Sequence, residues 1–159
     1  MKKTLLTLTQ LTVGQFYLAD KYSLNRKDRR VKELMKTELA FKRAYNVEAD
    51  VVYIDNKDKD LIASKNTRGY HNMIKNQVVV FLTNDIERNR ETLLHELTHV
   101  YQMQHMTTKF KASKKQLVNG EVSYRDAWHE RHARRCAKLL MQGDFTVALN
   151  RTAAYKAVA

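Results

Sequence analysis

Apolar residues recur at helical spacing in four stretches of the chain, and between the second and third stretch they gather in short β-branched runs. The helical stretches are 4–20, 23–45, 85–105 and 123–143. The β-branched runs lie in 47–54 and 68–83, and the second is interrupted by the polar pair Lys75-Asn76, which is typical of a hairpin. Val78 to Leu82 is apolar without a break, so we expect this strand to be buried on both faces.

Capping residues indicate where the later helices begin and end. Either residue of Asn84-Asp85 can cap the third helix, and Ser123-Tyr-Arg-Asp126 has the spacing of a capping box that opens the fourth. Gly143 is placed to end that fourth helix. The lysine-rich stretch 109–115 is predicted to be a connection between the two helices. The residues after Gly143 are predicted to form a tail with a short helix that docks on the core.

The predicted elements together indicate an α+β fold. A chain of 159 residues is long enough to bury a core of its own, so we expect a single domain over 1–159. Within it we distinguish a basic, helical N-terminal segment 1–46, a core 47–143 that holds the strands, and a C-terminal tail 144–159.

The third predicted helix carries the motif His95-Glu96-Leu97-Thr98-His99. Two histidines four residues apart lie on one face of a helix, so both imidazoles can reach a single cation, and Glu96 can reach a water beside it. The flanking residues are uncharged and largely apolar, which predicts a buried helix. The alternative is a core helix with two hydrogen-bonded histidines and a surface glutamate. However, the polar atoms of a buried His/Glu/His cluster have few bonding partners when no metal is present.

A catalytic zinc site needs a third protein ligand, and the candidates after His99 are His105, His129, Glu130 and His132. An unbroken helix would carry His105 about 9 Å along the axis from His99, which makes it a poor ligand. In the fourth helix the inward stripe includes His129, while Glu130 and His132 lie near its opposite edges, so these two cannot both face the metal. The alternative for Glu130 is an exposed helix residue paired with Arg134.

The motif and the fourth helix resemble the HExxH zinc metallopeptidases, in particular the small gluzincin-like and SprT-like types. In gluzincin-like peptidases a Glu-x-x-Ala pattern on a second helix carries the glutamate ligand, and Glu130 and Ala133 match it. His132 departs from the pattern, because a glutamate is common there. The resemblance implies a minimal zincin-like domain with a small, mainly antiparallel sheet, an HExxH helix and a second ligand-bearing helix, preceded by N-terminal helices.

The same resemblance implies a role for each site residue. Zn²⁺ would be held by His95, His99 and Glu130, with His129 as the alternative third ligand, and Glu96 would act as the general base. An oxyanion donor is also needed, and the candidates are Tyr124, Tyr101 and His129. An extended protein or peptide substrate would lie along an edge strand within 70–83, although the sequence does not indicate which strand is exposed.

We therefore expect a zinc-dependent metallopeptidase that hydrolyses peptide bonds of a protein substrate. One alternative is a SprT-like protease associated with nucleic acid, although the downstream histidine motif of that family is absent. A second alternative is a non-enzymatic, zinc-stabilised nucleic-acid-binding protein in which Glu96 has no catalytic task.

Charge and cysteine content bear on partners and compartment. The formal net charge is +12, which favours polyanionic partners such as nucleic acid. The second predicted helix has a basic outer face, which is either a solvated surface or a polyanion-binding strip; its cations are Arg26, Lys27, Arg29, Arg30, Lys32, Lys36, Lys42 and Arg43. A single cysteine, Cys136, excludes an internal disulfide and suits a reducing compartment. With no convincing signal peptide or membrane span, we expect a cytoplasmic protein without membrane contact.

Overall fold

A computed structural model describes residues 19–152 of the chain. The helices are α1 (Arg29–Tyr45), α2 (Ile86–His105), α3 (Thr107–Val118), α4 (Trp128–Leu140) and the short α5 (Leu149–Thr152), and the strands are β1 (Asp50–Asp55), β2 (Gly69–Asn72) and β3 (Gln77–Leu82). A 3₁₀ helix, Asn56–Leu61, follows β1. The helix predicted over 4–20 lies almost wholly outside the described residues. None of the helices within 19–152 is both long and apolar enough to cross a membrane.

The three strands form one sheet in the order β1-β3-β2. All six residues of β3 are buried, which confirms the prediction of a strand covered on both faces. β2 and β3 pair antiparallel as the predicted hairpin, whereas β1 pairs parallel to β3. The sheet is therefore mixed, and the prediction of a mainly antiparallel sheet is wrong. The physical reason for the parallel pair is the long connection between β1 and β3, residues 56–76, which itself contains β2. It is long enough for β2 to form the far edge of the sheet, so that β3 then lies between β2 and β1.

The alternation of β3 side chains builds a core on each face of the sheet. Val78, Val80 and Leu82 face α1 and α2 and join the larger apolar cluster with Leu93 and Leu97. The intervening residues of β3 pack on the opposite face with the smaller cluster around Ile54 and Ile62. The structure thus confirms the α+β class, with α2 held directly against the sheet.

Helix α2 runs without interruption through the His-Glu-x-x-His motif. The Asp85 side chain caps it by accepting a hydrogen bond from the backbone N–H of Arg88 at 3.1 Å. The Asn89 side chain donates to the carbonyl of Thr83 at 2.9 Å and accepts from the Thr83 N–H at 3.0 Å, so β3 and the first turns of α2 are tied together. The unbroken helix carries His105 away from the motif, and its Nε2 lies 2.9 Å from the Asn46 carbonyl oxygen.

Two helices begin later than predicted, and one predicted connection is a helix. Helix α1 begins after Asp28, which caps it, whereas Ser23 instead forms an isolated bridge with Ile54. The stretch 109–115 belongs to α3, because Phe110 and Ser113 bury one helical face that contains too few apolar residues to be recognised as periodic. Helix α4 begins at Trp128, and the Ser123–Asp126 hydrogen bonds form a turn just before it.

Gly69 sets how closely the edge strand β2 approaches helix α2. A Cβ at this position would lie 2.8 Å from the Val79 carbonyl oxygen, 2.9 Å from Thr92 Cγ2 and 3.2 Å from Glu96 Cγ. We therefore expect Gly69→Ala to lower the free energy of unfolding by about 1–3 kcal/mol, as overpacking does. Urea unfolding measures the loss. The double variant Gly69→Ala/Thr92→Ser should recover only part of it, because the Val79 oxygen remains, and an unchanged free energy in Gly69→Ala would contradict the close packing.

Candidate metal centre and active site

Packing of α2 against α4 brings together three of the residues that the sequence singled out. His95 Nε2 lies 3.2 Å from His99 Nε2 and 3.1 Å from Glu130 Oε2, and His99 Nε2 lies 3.2 Å from Glu130 Oε1. The Glu130 side chain is 4% exposed, so it is not the surface residue paired with Arg134 that the sequence allowed. Two nitrogen atoms and a carboxylate thus converge on one point.

The spacing of these atoms fits a zinc ion. Ligand atoms about 2.0–2.1 Å from a tetrahedral zinc are separated from one another by about 3.3 Å. The two histidine nitrogens lie 3.2 Å apart, and each lies 3.1 to 3.2 Å from a different oxygen of the Glu130 carboxylate, which is close to that separation. Two imidazoles and one carboxylate are also a ligand set that catalytic zinc sites use, and three ligands leave a fourth position open. The residues present therefore fit the metal that the motif implies.

The electrostatics of the triangle couple its protonation to metal binding. Burial alone would raise the pKa of Glu130, but hydrogen bonds to His95 and His99 hold the pKa of this carboxyl well below its usual range. Burial would lower the pKa of His99, but its hydrogen bond to Glu130 and the charge of Glu96 raise it above the ordinary value of 6.5. The site without metal therefore favours a proton on His99, which zinc must displace.

We expect zinc binding near pH 7 to release about one proton, because a ligating imidazole must be neutral. Since the pKa of His99 is raised, the apparent zinc affinity should fall as the pH falls through neutrality. Titration calorimetry in buffers of different ionisation enthalpy measures the number of protons released. An apparent binding enthalpy that is the same in all buffers would contradict this coupling.

Glu96 lies beside the triangle and lines the same cleft. The residue is 7% exposed, and burial raises the pKa of its carboxyl, with Glu130 adding to the rise and the two histidines opposing it. A buried carboxylate with a raised pKa holds a proton more readily than a surface one, as a general base that later acts as an acid must. Its Cγ faces Gly69, so no side chain from β2 separates Glu96 from the edge strand.

A cleft of about 400 Å³ opens over the triangle. One wall is the loop and strand start from Ser64 to Gly69, and the opposite wall is formed by α4 and the segment before it, with His95 and Glu96 at the base. The sequence did not single out the loop 64–68, whose polar residues carry no motif. The Lys59 amine holds this loop from beneath by donating to the Lys65 carbonyl oxygen at 2.5 Å.

Tyr124 is the one predicted oxyanion donor that the structure places at the cleft. Tyr124 is 61% exposed, and partial desolvation of its phenol, the charge of Glu130 and a hydrogen bond to that carboxylate raise the pKa of Tyr124, so the hydroxyl keeps its proton. Tyr101 packs elsewhere, with its ring 5.9 Å from that of Tyr45. A protonated phenol at the mouth of the site is a suitable hydrogen-bond donor for a developing negative charge.

His129, the alternative third ligand, lies behind the triangle and not within it. Its Nδ1 is 2.7 Å from Ser113 Oγ, and Nε2 is 3.6 Å from Glu130 Oε1. In the part of the chain that the structure describes, Nε2 has no hydrogen-bond partner. Burial and the neighbouring His99 lower the pKa of His129 to about 4. Here His129 is a neutral residue that packs against Glu130.

The remaining histidine candidates are not part of the triangle. Both ring nitrogens of His132 have other partners: Nδ1 lies 2.7 Å from Gln102 Nε2 on α2, and Nε2 lies 2.8 Å from the Leu149 carbonyl oxygen. His105 is exposed at the end of α2.

Comparison of the chain with models of known protein families, with curated proteins and with solved structures gave no match, so the chain is assigned to no family and the site rests on its own geometry.

Proposed function

We propose that this protein is a zinc-dependent metallopeptidase with a minimal zincin-like catalytic domain of the gluzincin-like or SprT-like type. The observation that carries the proposal is the His95–His99–Glu130 triangle, spaced for tetrahedral zinc and opening beside Glu96 into a cleft. The short resemblance to HExxH peptidases, which rests on the order of these residues in the sequence, supports the same conclusion.

Each residue has a defined task in peptide hydrolysis. Zinc, when bound, supplies a Lewis acid that polarises the scissile carbonyl and lowers the pKa of a coordinated water. Glu96 takes the proton of the attacking water and later delivers it to the leaving amine. The Tyr124 hydroxyl donates a hydrogen bond to the oxygen on which negative charge develops. Glu130 and the two histidines hold the metal in place beside them.

Within residues 19–152 no strand pairs with the outer edge of β2, and this edge supplies a place for the substrate backbone. The Phe81 N–H donates to the Arg68 carbonyl oxygen at 3.0 Å, so Arg68 and, by alternation, Tyr70 direct their backbone groups towards β3. The intervening residues Gly69 and His71 direct theirs away from β3. An extended peptide that adds to this edge would lie across the cleft and above Glu96, and main-chain hydrogen bonds would provide affinity without a required side chain.

The test is zinc-dependent cleavage of an unfolded protein substrate such as reduced, alkylated casein. We expect cleavage by the zinc-loaded protein, no cleavage after the metal is removed with a chelator, and recovery when zinc is restored in equal amount. A zinc-loaded, folded protein that cleaves neither casein nor a library of extended peptides would contradict the proposal.

The reducing cytoplasm, favoured by the single cysteine, is the compartment we propose for this activity.

A second candidate is association with nucleic acid, for which the structure favours a surface other than the predicted one. On α1, Arg30 is bonded to Asp28 and Asp55, and Lys42 to Glu38. Helices α3 and α4 have a single acidic residue, Glu130, which is buried in the site. Their cations are Lys109, Lys111, Lys114, Lys115, Arg131, Arg134, Arg135 and Lys138. We propose α3 and α4, beside the cleft, as the contact for a nucleic-acid backbone.

Charge reversal on the two surfaces separates these possibilities. Lys111→Glu/Lys115→Glu on α3 should weaken binding of a DNA duplex. It should also make the slope of the logarithm of the binding constant against the logarithm of the salt concentration shallower by about one unit per lost phosphate contact. The matched variant Lys32→Glu/Lys36→Glu on α1 should have the smaller effect. The reverse order would return the contact to α1, and the absence of binding to DNA and RNA at low salt would dismiss this candidate.

A further inference from the structure

Gln102 is a fully buried amide on α2, three residues after His99. Its Oε1 lies 2.9 Å from His99 Nδ1. Its Nε2 lies 2.9 Å from the His129 carbonyl oxygen and 2.7 Å from His132 Nδ1. His132 Nε2 lies 2.8 Å from the Leu149 carbonyl oxygen. One chain of hydrogen bonds therefore runs from the candidate ligand His99, through α4, to the start of α5.

The two backbone carbonyls in this chain fix the direction of every hydrogen bond. A carbonyl oxygen can only accept, so the Gln102 atom facing His129 must be the amide nitrogen. The Leu149 carbonyl likewise requires a proton on His132 Nε2, which leaves His132 Nδ1 to accept the second Gln102 proton when the ring is neutral. Both Gln102 donors are then used, and its oxygen accepts from His99 Nδ1–H.

We propose that Gln102, itself anchored by the His129 carbonyl and by His132, is a positioning residue that fixes the neutral His99 ring as the Nδ1–H tautomer and aims its Nε2 lone pair into the triangle. The inference rests on the proposed function, because it assigns His99 Nε2 as a metal ligand. It adds a residue that contacts neither metal nor substrate. Partners of this kind orient ligating imidazoles and raise their basicity.

The tautomer can be measured without catalysis. In ¹⁵N-histidine NMR of the metal-free protein, at a pH where His99 is neutral, we expect a protonated Nδ1 and an unprotonated Nε2 for this residue. The His99→Asn variant assigns its signals. A proton found on Nε2 would overturn the inference, even if every variant at Gln102 failed to fold.

Variants separate positioning from packing. Gln102→Met keeps the volume but removes the hydrogen bonds, and we expect zinc affinity, measured by competition with a chelator, to fall about 10–100-fold. His132→Phe leaves Gln102 anchored only by the His129 carbonyl and should give a smaller loss. The control His105→Gln, at the exposed end of the same helix, should bind zinc like the wild type. A folded Gln102→Met with wild-type zinc affinity and an unchanged His99 tautomer would overturn the inference.

These outcomes distinguish the inference from the function on which it rests. A wild-type protein that binds zinc and cleaves protein, but has a proton on His99 Nε2, overturns the role of Gln102 alone. A wild-type protein that binds no zinc overturns the proposed peptidase, whatever the tautomer is.

Discussion

Replacing Glu96 with glutamine will lower kcat for peptide hydrolysis by about 10²–10⁴-fold, while zinc content and fold stay as in the wild type. Glutamine has nearly the same shape and fits the buried site, but it cannot accept the proton of the attacking water. The carboxylate is outside the metal triangle, so its loss removes the base without removing a ligand. Steady-state cleavage of a fluorogenic peptide, together with metal analysis of the same sample, measures both effects.

The matched control for this change is Glu91→Gln, five residues earlier on α2 and also at the cleft. It removes the same charge from the same helix and should leave kcat within a few fold. If Glu96→Gln and Glu91→Gln had equal activities, Glu96 would not be the base. If Glu96→Gln left every function of the protein intact, the non-enzymatic alternative, a zinc-stabilised nucleic-acid-binding protein, would replace the peptidase.

Replacing His99 with alanine will abolish tight zinc binding. His99 supplies one corner of the triangle, and its ring is buried, so no solvent-exposed group can take its place. We expect the zinc affinity to fall by more than the roughly 10–100-fold that loss of an outer hydrogen-bond partner causes. Added zinc should also no longer raise the melting temperature, because a ligand stabilises a protein only when it binds the folded state at the concentration used.

The control for the histidine change is His105→Ala on the exposed last turn of α2. It should keep both the zinc affinity and the zinc-dependent rise in melting temperature, measured by chelator competition and scanning calorimetry. If the two variants lost zinc equally, or if His99→Ala kept it, the triangle would not be the zinc site.

The parts of this account that follow from local pattern were predictable from the sequence. Helix α2 and the β2–β3 hairpin have clear periodicity and capping or turn residues, and the structure shows both. Parallel pairing of β1 with β3 was not predictable, because the sequence between them does not specify on which side of β3 the hairpin strand will lie. Helix α3 was missed because Phe110 and Ser113 are its only buried residues.

The residues of the candidate site also include some that the sequence could predict and some that it could not. His95, Glu96 and His99 are fixed by helical spacing, but Glu130 lies at the edge of the α4 stripe, and only the packing of α4 on α2 places it at the triangle. Gln102 could have been noticed as a polar residue on the buried side of α2. Its partners come from α4, so its role required the structure.

The central claim is that His95, His99 and Glu130 hold one zinc ion. Elemental mass spectrometry of the purified wild type, His95→Ala, Glu130→Ala and His129→Ala tests it directly. We predict about one zinc per chain in the wild type and in His129→Ala, and none in the other two. Zinc kept by Glu130→Ala but lost from His129→Ala would move the third ligand to His129. No zinc in any sample, even after zinc is added back, would contradict the metal site altogether.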